Sequence, residues 1–202
     1  MAEPLILASR SPQRRAILEQ LGVEFRVEPP EVEELGQGDP RTLVAENARR
    51  KARAVAERGA AVGAGERVLG VDTAVVLDGR VFGKPVDEAE AETFLRRLSG
   101  RTHEVMSGIC LRAGTGERAE VAVTRVRFRL LEPPALRWYL ASGEWRERAG
   151  GYAIQGRGAA LVAGIEGDYW NVVGLPVAAL VALAPELFVR IGTSESPASD
   201  GG

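Results

Sequence analysis

The chain has 202 residues, enough for one substantial domain or two small lobes sharing a core; 45% are hydrophobic, 27% charged, and the formal net charge is −2. That balance excludes a grip on nucleic acid by bulk positive charge, one cysteine excludes an internal disulfide or a CxxC zinc site, and one histidine excludes a centre needing two imidazoles. No apolar run reaches the roughly 18 residues of a membrane span and no basic-then-apolar pattern opens the chain, so a soluble cytoplasmic protein without a membrane partner is expected.

Residues 4–8 form a short apolar run suited to a buried strand. After the polar turn Ser9-Arg10-Ser11 comes a helix from Pro12, with Ser11 as its cap, Ile17, Leu18 and Leu21 as its apolar stripe, and Gly22 as its stop. Residues 23–27 read as a second strand, running into an acidic loop over 28–34. A helix follows over 40–58, on Leu43, Val44, Ala48, Ala52, Val55 and Ala56. Residues 68–77 are a strongly β-prone run, turned by Asp78-Gly79 into a returning edge at 81–85. Another helix covers 87–98 and ends at Gly100. Strands are expected over 103–111 and 120–131 around a glycine-rich turn, then a short helix over 133–142. The stretch 144–176, rich in glycine and aromatics, reads as the wrapping of a site. Residues 177–191 form an apolar helix or helix pair interrupted by Pro185, and 192–202 read as a polar, disordered tail. One α/β unit over 1–191 with a mixed sheet is expected, bilobed in outline.

The composition is skewed toward 24 arginines against two lysines, and 22 glutamates against six aspartates. In such a chain Lys51 and Lys84 stand out as positions where a compact ammonium serves better than a guanidinium. Asp72 stands out too. A carboxylate interrupting an apolar strand must be paired, protonated or metal-bound, which suits a metal ligand or general base, although a strand-end turn residue reads the same way. The turn Ser9–Arg15 puts two hydroxyls and three arginines around a helix N-terminus; it is a phosphate cradle in outline, or a normally capped helix with surface arginines. Lys51 lies at the border of an apolar stripe, where a lysine can simply snorkel. The glycines around Gln155 suit a pocket in which backbone and amide read a base edge, or a glycine-rich hairpin. His103 is assigned to hydrogen bonding at a strand start, and Cys110 to the core.

Taken in order, LASRSPQRRAILEQLG, ENARRKA, GVDT, GKP, LSGRTHEVMSG, GGYAIQG and GDYWNVVGLP resemble the Maf family of nucleoside triphosphate pyrophosphatases. The resemblance implies an ITPase-like α/β fold with an elongated mixed sheet flanked by helices, two lobes and a central cleft, commonly in a homodimer. It implies hydrolysis of a nucleotide substrate to the monophosphate and pyrophosphate with a divalent cation, Mg²⁺ or Mn²⁺, and roles in removing non-standard nucleotides and restraining septum formation. On the matching positions, Asp72 is the catalytic acid, and Ser9, Arg14, Lys51 and Lys84 bind substrate. Glu34, or its neighbour Glu33, joins Asp72 as a metal partner, and Gln13, Thr73 and Gln155 bear on specificity in the manner of the dTTP/UTP branch. The family turn reads SPRR where this chain has Ser11-Pro12-Gln13-Arg14, so Gln13 replaces an arginine. Arg10 and Arg15 flank that position but are expected to leave the turn in other directions. The rival readings are a non-catalytic nucleotide sensor of the division machinery and an inosine or xanthosine triphosphate pyrophosphatase of the same fold.

Overall fold

The computed structural model describes residues 5–58 and 66–188. Seven strands form one mixed sheet, in the order β2 (Phe25–Val27), β1 (Leu5–Ala8), β3 (Arg67–Leu77), β5 (Thr102–Ala113), β6 (Gly116–Phe128) and β7 (Val162–Glu166), with β4 (Arg80–Phe82) also paired to β3. The first three strands of that order are parallel to one another; β5, β6 and β7 continue antiparallel.

The helices are α1 (Pro12–Gln20), α2 (Pro40–Ala56), α3 (Glu88–Leu98), α4 (Pro133–Leu140), α5 (Tyr169–Val173) and α6 (Val177–Leu183). The expected cap of α1 is in place, the Ser11 hydroxyl accepting from the Arg14 amide; Asp39 and Asp87 cap α2 and α3 in the same way. Pro185 does interrupt the last helix, which gives way to a 3₁₀ turn over Pro185–Leu187. The tail expected over 192–202 lies outside the described residues.

Several elements differ from expectation. The second strand begins at Phe25, because the Val23 amide is still bonded to the Leu18 carbonyl at the end of α1. The strand expected over 120–131 runs instead from Gly116 to Phe128, since Ala113 and Gly116 already pair across the hairpin. Strand β7, inside the glycine-rich stretch, was not anticipated; its VAGIE sequence is too short and mixed to carry a β signal and is held by pairing to β6.

Alternation along β3 divides the core. Leu69 and Val71 join Leu5, Leu7, Ile17, Leu18, Ile109 and Leu180 in one cluster, while Val75 and Leu77 join Leu95, Leu98, Val105, Phe128 and Tyr139 in another. These two clusters lie on the same sheet face, toward opposite ends of β3. On the other face Val68, Ala74 and Val76 meet α2. Helix α2 comes unusually close. A Cβ at Gly70 would stand 2.2 Å from the Ala48 carbonyl oxygen, and one at Gly108 would stand 2.1 Å from that of Val44. Backbone packs on backbone there, with no side chain between.

One edge of β3 is interrupted. Strand β1 covers Arg67–Gly70 and antiparallel β4 covers Val75–Leu77, while β5 occupies the opposite edge from Arg67 to Val76. Residues 71–74 therefore have no strand beside them on the first edge. The chain leaving β1 at Ser9 and the chain leaving β4 at Gly83 both run toward this opening. It is a switch point of the kind where α/β sheets bind ligands.

His103 is 1% exposed, with Nε2 2.8 Å from the Tyr152 hydroxyl and Nδ1 without a partner. Cys110 is buried as expected, and burial pushes its thiol up to about 12.

Two outcomes follow. Gly108→Ala should lose about 3 kcal/mol of stability, since neither the helix nor the strand backbone can give way cheaply; urea unfolding would measure it, and a parent-like midpoint would refute the tight contact. Burial also pulls the His103 imidazole from 6.5 down to about 4. The unfolded chain takes up this proton first, so the stabilisation is complete above about pH 6.5 and is lost as pH falls toward 4, by on the order of 3 kcal/mol. Thermal melts over pH 4–7 should fall more steeply for the parent than for His103→Gln; equal slopes would contradict the assignment.

Candidate active site

The opening along β3 leads into a cleft of about 950 Å³, lined by residues from both lobes. Asp72 and Thr73 sit at its floor, and because they are consecutive in a strand they serve its two faces.

On the α2 face, Asp72 is 7% exposed and both its oxygens are occupied. Lys51 donates to Oδ1 at 2.6 Å and Asn47 donates from Nδ2 to Oδ2 at 3.1 Å. The same ammonium reaches Glu34 Oε1 at 2.8 Å, so two carboxylates share one cation. Asn47 and Lys51 are four apart on α2 and emerge on one side of it. The helix that touches the sheet backbone at Gly70 and Gly108 thus delivers both to the aspartate that follows Gly70 by two residues and pairs with Gly108. Lys51 is not a snorkelling surface residue: its side chain is 7% exposed.

On the other face, Arg14 is buried and fans its donors into the protein. Nε donates to the Gly174 carbonyl at 2.9 Å, Nη1 to Ser9 Oγ at 3.0 Å and Nη2 to Thr73 Oγ1 at 3.1 Å. Burial draws the guanidinium below its ordinary value, opposed by the charges of Asp72 and Glu34, and arginine's starting value is high enough that it stays a cation. Ser9 Oγ also accepts from the Ser11 amide at 3.1 Å. With both lone pairs used, its own proton is the group left to offer an anion. Thr73 and the fully buried Ser107 share a hydrogen bond of 2.9 Å beneath this network.

The rim carries the remaining expected residues. Lys84, just beyond β4, pairs with Glu147 at 2.7 Å across the cleft, and this bond holds the Glu147 carboxyl below its ordinary value. Gln13 and Gln155 both line the cleft; Gln13 accepts from the Ser11 hydroxyl at 3.1 Å. Arg15 does turn away, to Glu19 on the outer face of α1. Arg10 is exposed and is among the lining residues, so the turn keeps a second arginine near Gln13. Glu33 is exposed and is not among the lining residues, which favours Glu34 of the two. Asn47, Ser107, Glu147 and Arg148 were not anticipated here. Only Asn47 had a legible signal, a polar residue one turn before Lys51 on a stripe otherwise apolar.

Among the described residues no three histidine, cysteine, aspartate or glutamate side chains converge as a self-contained metal cage. The donor set is the Asp72–Glu34 pair. Such a pair fits a hard cation of the Mg²⁺ type, which takes one or two carboxylates and completes its shell with water and substrate phosphate.

A protein-family model described as Maf-like protein matches residues 4–187. The chain is 50% identical over 177 residues to a dTTP/UTP pyrophosphatase of Symbiobacterium thermophilum, covering 87% of this chain and 89% of that one. It is 49% identical over 181 residues to that of Thermus thermophilus, covering 89% and 92%, and 41% identical over 181 residues to that of Pyrococcus furiosus, covering 89% and 93%. Among solved structures, a HAM1 protein from Coxiella burnetii shares the fold, with a TM-score of 0.52 at 19% identity over 91% of this chain and 99% of that one.

Removing one partner of a buried pair strands the other's charge. Lys51→Met should therefore cost about 3 kcal/mol, and Lys51→Met combined with Asp72→Asn should recover most of it. A double-mutant cycle by chemical denaturation measures this; additive losses would show the pair uncoupled.

Proposed function

The chain belongs to the Maf family, and from that membership we propose that it hydrolyses nucleoside triphosphates, dTTP and UTP foremost, to the monophosphate and pyrophosphate. The observation that carries the reading is Asp72, held from both sides by Lys51 and Asn47 at the floor of a cleft that Ser9, Arg14 and Lys84 reach from the two chain segments flanking it.

A triphosphate brings about four negative charges to a protein that is itself slightly acidic, so the attraction must be local. Ser9 offers its hydroxyl proton, and Lys84 exchanges Glu147 for a phosphate oxygen at little cost, since exposed ion pairs are weak. Arg14 contributes its charge and the rigidity of the turn, with most of its donors committed inward. Asp72 and Glu34 would hold the divalent cation, which when bound neutralises phosphate charge and polarises the bond to be broken. Asp72 orients a water whose oxygen bonds to phosphorus. The bond between the α- and β-phosphates breaks, pyrophosphate carries off the electron pair, and the water's proton passes to the Asp72 carboxylate. Phosphoryl transfer depends mainly on positioning and charge, so this set suffices.

Thr73 and Gln155 line the cleft and are read as bearing on nucleotide choice, in keeping with the pyrimidine branch, while Gln13 removes one cation from the turn and leaves Arg10 to serve nearby. Removal of non-standard nucleotides and restraint of septum formation belong to the same reading, and overexpressing Asp72→Asn beside the parent measures whether division responds to turnover. A homodimer is part of the same reading.

The test is pyrophosphate release from dTTP, UTP, CTP, 7-methyl-GTP and ITP, with and without Mn²⁺. Metal-dependent release from dTTP and UTP is expected, falling at least 100-fold in Asp72→Asn (on the order expected for loss of general-base catalysis). Release from another nucleotide alone would move the specificity, and parent-like activity in Asp72→Asn would overturn the mechanism.

A further inference from the structure

Asn47 is 1% exposed, yet no part of its amide is idle. Its Oδ1 accepts from the Leu35 amide at 2.7 Å, and its Nδ2 donates both to the Leu35 carbonyl at 3.1 Å and to Asp72 Oδ2 at 3.1 Å. One acceptor and two donors meet a backbone donor, a backbone acceptor and a carboxylate. The match is specific to a carboxamide: an aspartate would present an acceptor to the Leu35 carbonyl and a second carboxylate to Asp72, and an aliphatic side chain would take this partner from all three groups.

The geometry points to Asn47 as a positioning residue that clamps the acidic loop to the sheet and so sets the spacing of the Glu34 and Asp72 carboxylates. Leu35 follows Glu34 directly, so fixing both backbone groups of Leu35 fixes where the Glu34 side chain starts. Residues 28–36 are neither helix nor strand; Glu28, Pro29 and Glu31 are tied to Leu7 and Arg58 and the Leu35 side chain packs against the core beside Val44, while the Glu34 side chain is 55% exposed. Lys51 attracts Glu34, but an ion pair to a half-exposed carboxylate does not define a backbone path. The Asn47 amide does, through two opposed hydrogen bonds to one peptide segment. The third bond ties the same amide to Asp72, so the two carboxylates are registered against a single side chain rooted in α2. Outer groups that orient metal-binding carboxylates are worth about 10- to 100-fold in metal affinity.

This rests on the proposed pairing of Glu34 and Asp72 around a divalent cation, and it is tested by readouts that need no turnover. Asn47→Leu keeps approximate size and removes all three bonds; Asn47→Ala serves if that variant does not fold, with circular dichroism and melting as the check. Mn²⁺ binding by calorimetry should weaken by about 10-fold or more, and a glutamate-specific protease should cut after Glu33 and Glu34 at least several-fold faster than in the parent, as read by mass spectrometry. Where turnover is present, kcat should fall at saturating Mn²⁺ with little change in the nucleotide KM, a split that general loosening would not produce. Either Mn²⁺ affinity or loop cleavage within twofold of the parent, in a folded variant, overturns the proposal. A parent that binds Mn²⁺ but hydrolyses no nucleotide removes the proposed reaction and leaves the clamp decided by these two measurements. A parent that binds no Mn²⁺ removes the metal pairing and leaves it decided by cleavage.

Discussion

Everything at the cleft floor depends on how closely α2 lies on the sheet. At Gly70 and Gly108 the helix carbonyls of Ala48 and Val44 occupy the space a Cβ would need. Helices on sheets are ordinarily held off by a layer of intervening side chains. Here that layer is missing at Gly70, two residues before Asp72, and at Gly108, directly across the ladder from it. A short carboxylate can then meet an asparagine and a lysine from the helix without any of the three reaching outward. The contact also explains why the acid is buried without being stranded: its desolvation is offset by two hydrogen bonds of near-ideal length.

The second organising feature is the gap along the edge of β3. Because β1 enters in parallel and β4 in the antiparallel sense, both deliver their trailing turns to the same four-residue opening. Consecutive residues there face opposite layers, so one dipeptide gathers two separate sets of partners. Asp72 collects α2 and the acidic loop; Thr73 collects Arg14, Ser107 and the backbone of Gly174. The two lobes need no hinge element of their own to form a cleft, since the sheet runs through both and simply lacks a strand between them.

Much of this was legible from the residues. The opening strand, turn and helix, the long helix over 40–58 and the interrupted strand of Asp72 have the apolar spacing and capping residues that local physics demands. The scarcity of lysine and aspartate singled out Lys51 and Asp72, and they are partners. The gap in the sheet was not legible, because strand pairing is non-local and nothing in the β1 or β4 sequences records where each stops along β3. Strand β7 was hidden because its order comes from its neighbour. The inward commitment of Arg14 was hidden for a similar reason: its acceptors lie on Ser9, Thr73 and Gly174, and only the fold brings them together. Glycine at 70 and 108 is visible in the sequence, but its meaning is a distance to a helix that the sequence does not measure.

The reach of Arg14 has a consequence for how the molecule comes into being. The pairing of Lys51 with Asp72 closes over 21 residues, whereas Arg14 spans 160 to find Gly174. Short closures form early and long ones late, and a chain made from its N-terminus offers them in that order. The acidic half of the cleft can therefore assemble while the C-terminal segment is still being synthesised, and the arginine turn is locked only when the last sixth of the chain docks. Until then the guanidinium has lost one of its three anchors, and a half-made chain carries the acid without the finished cradle.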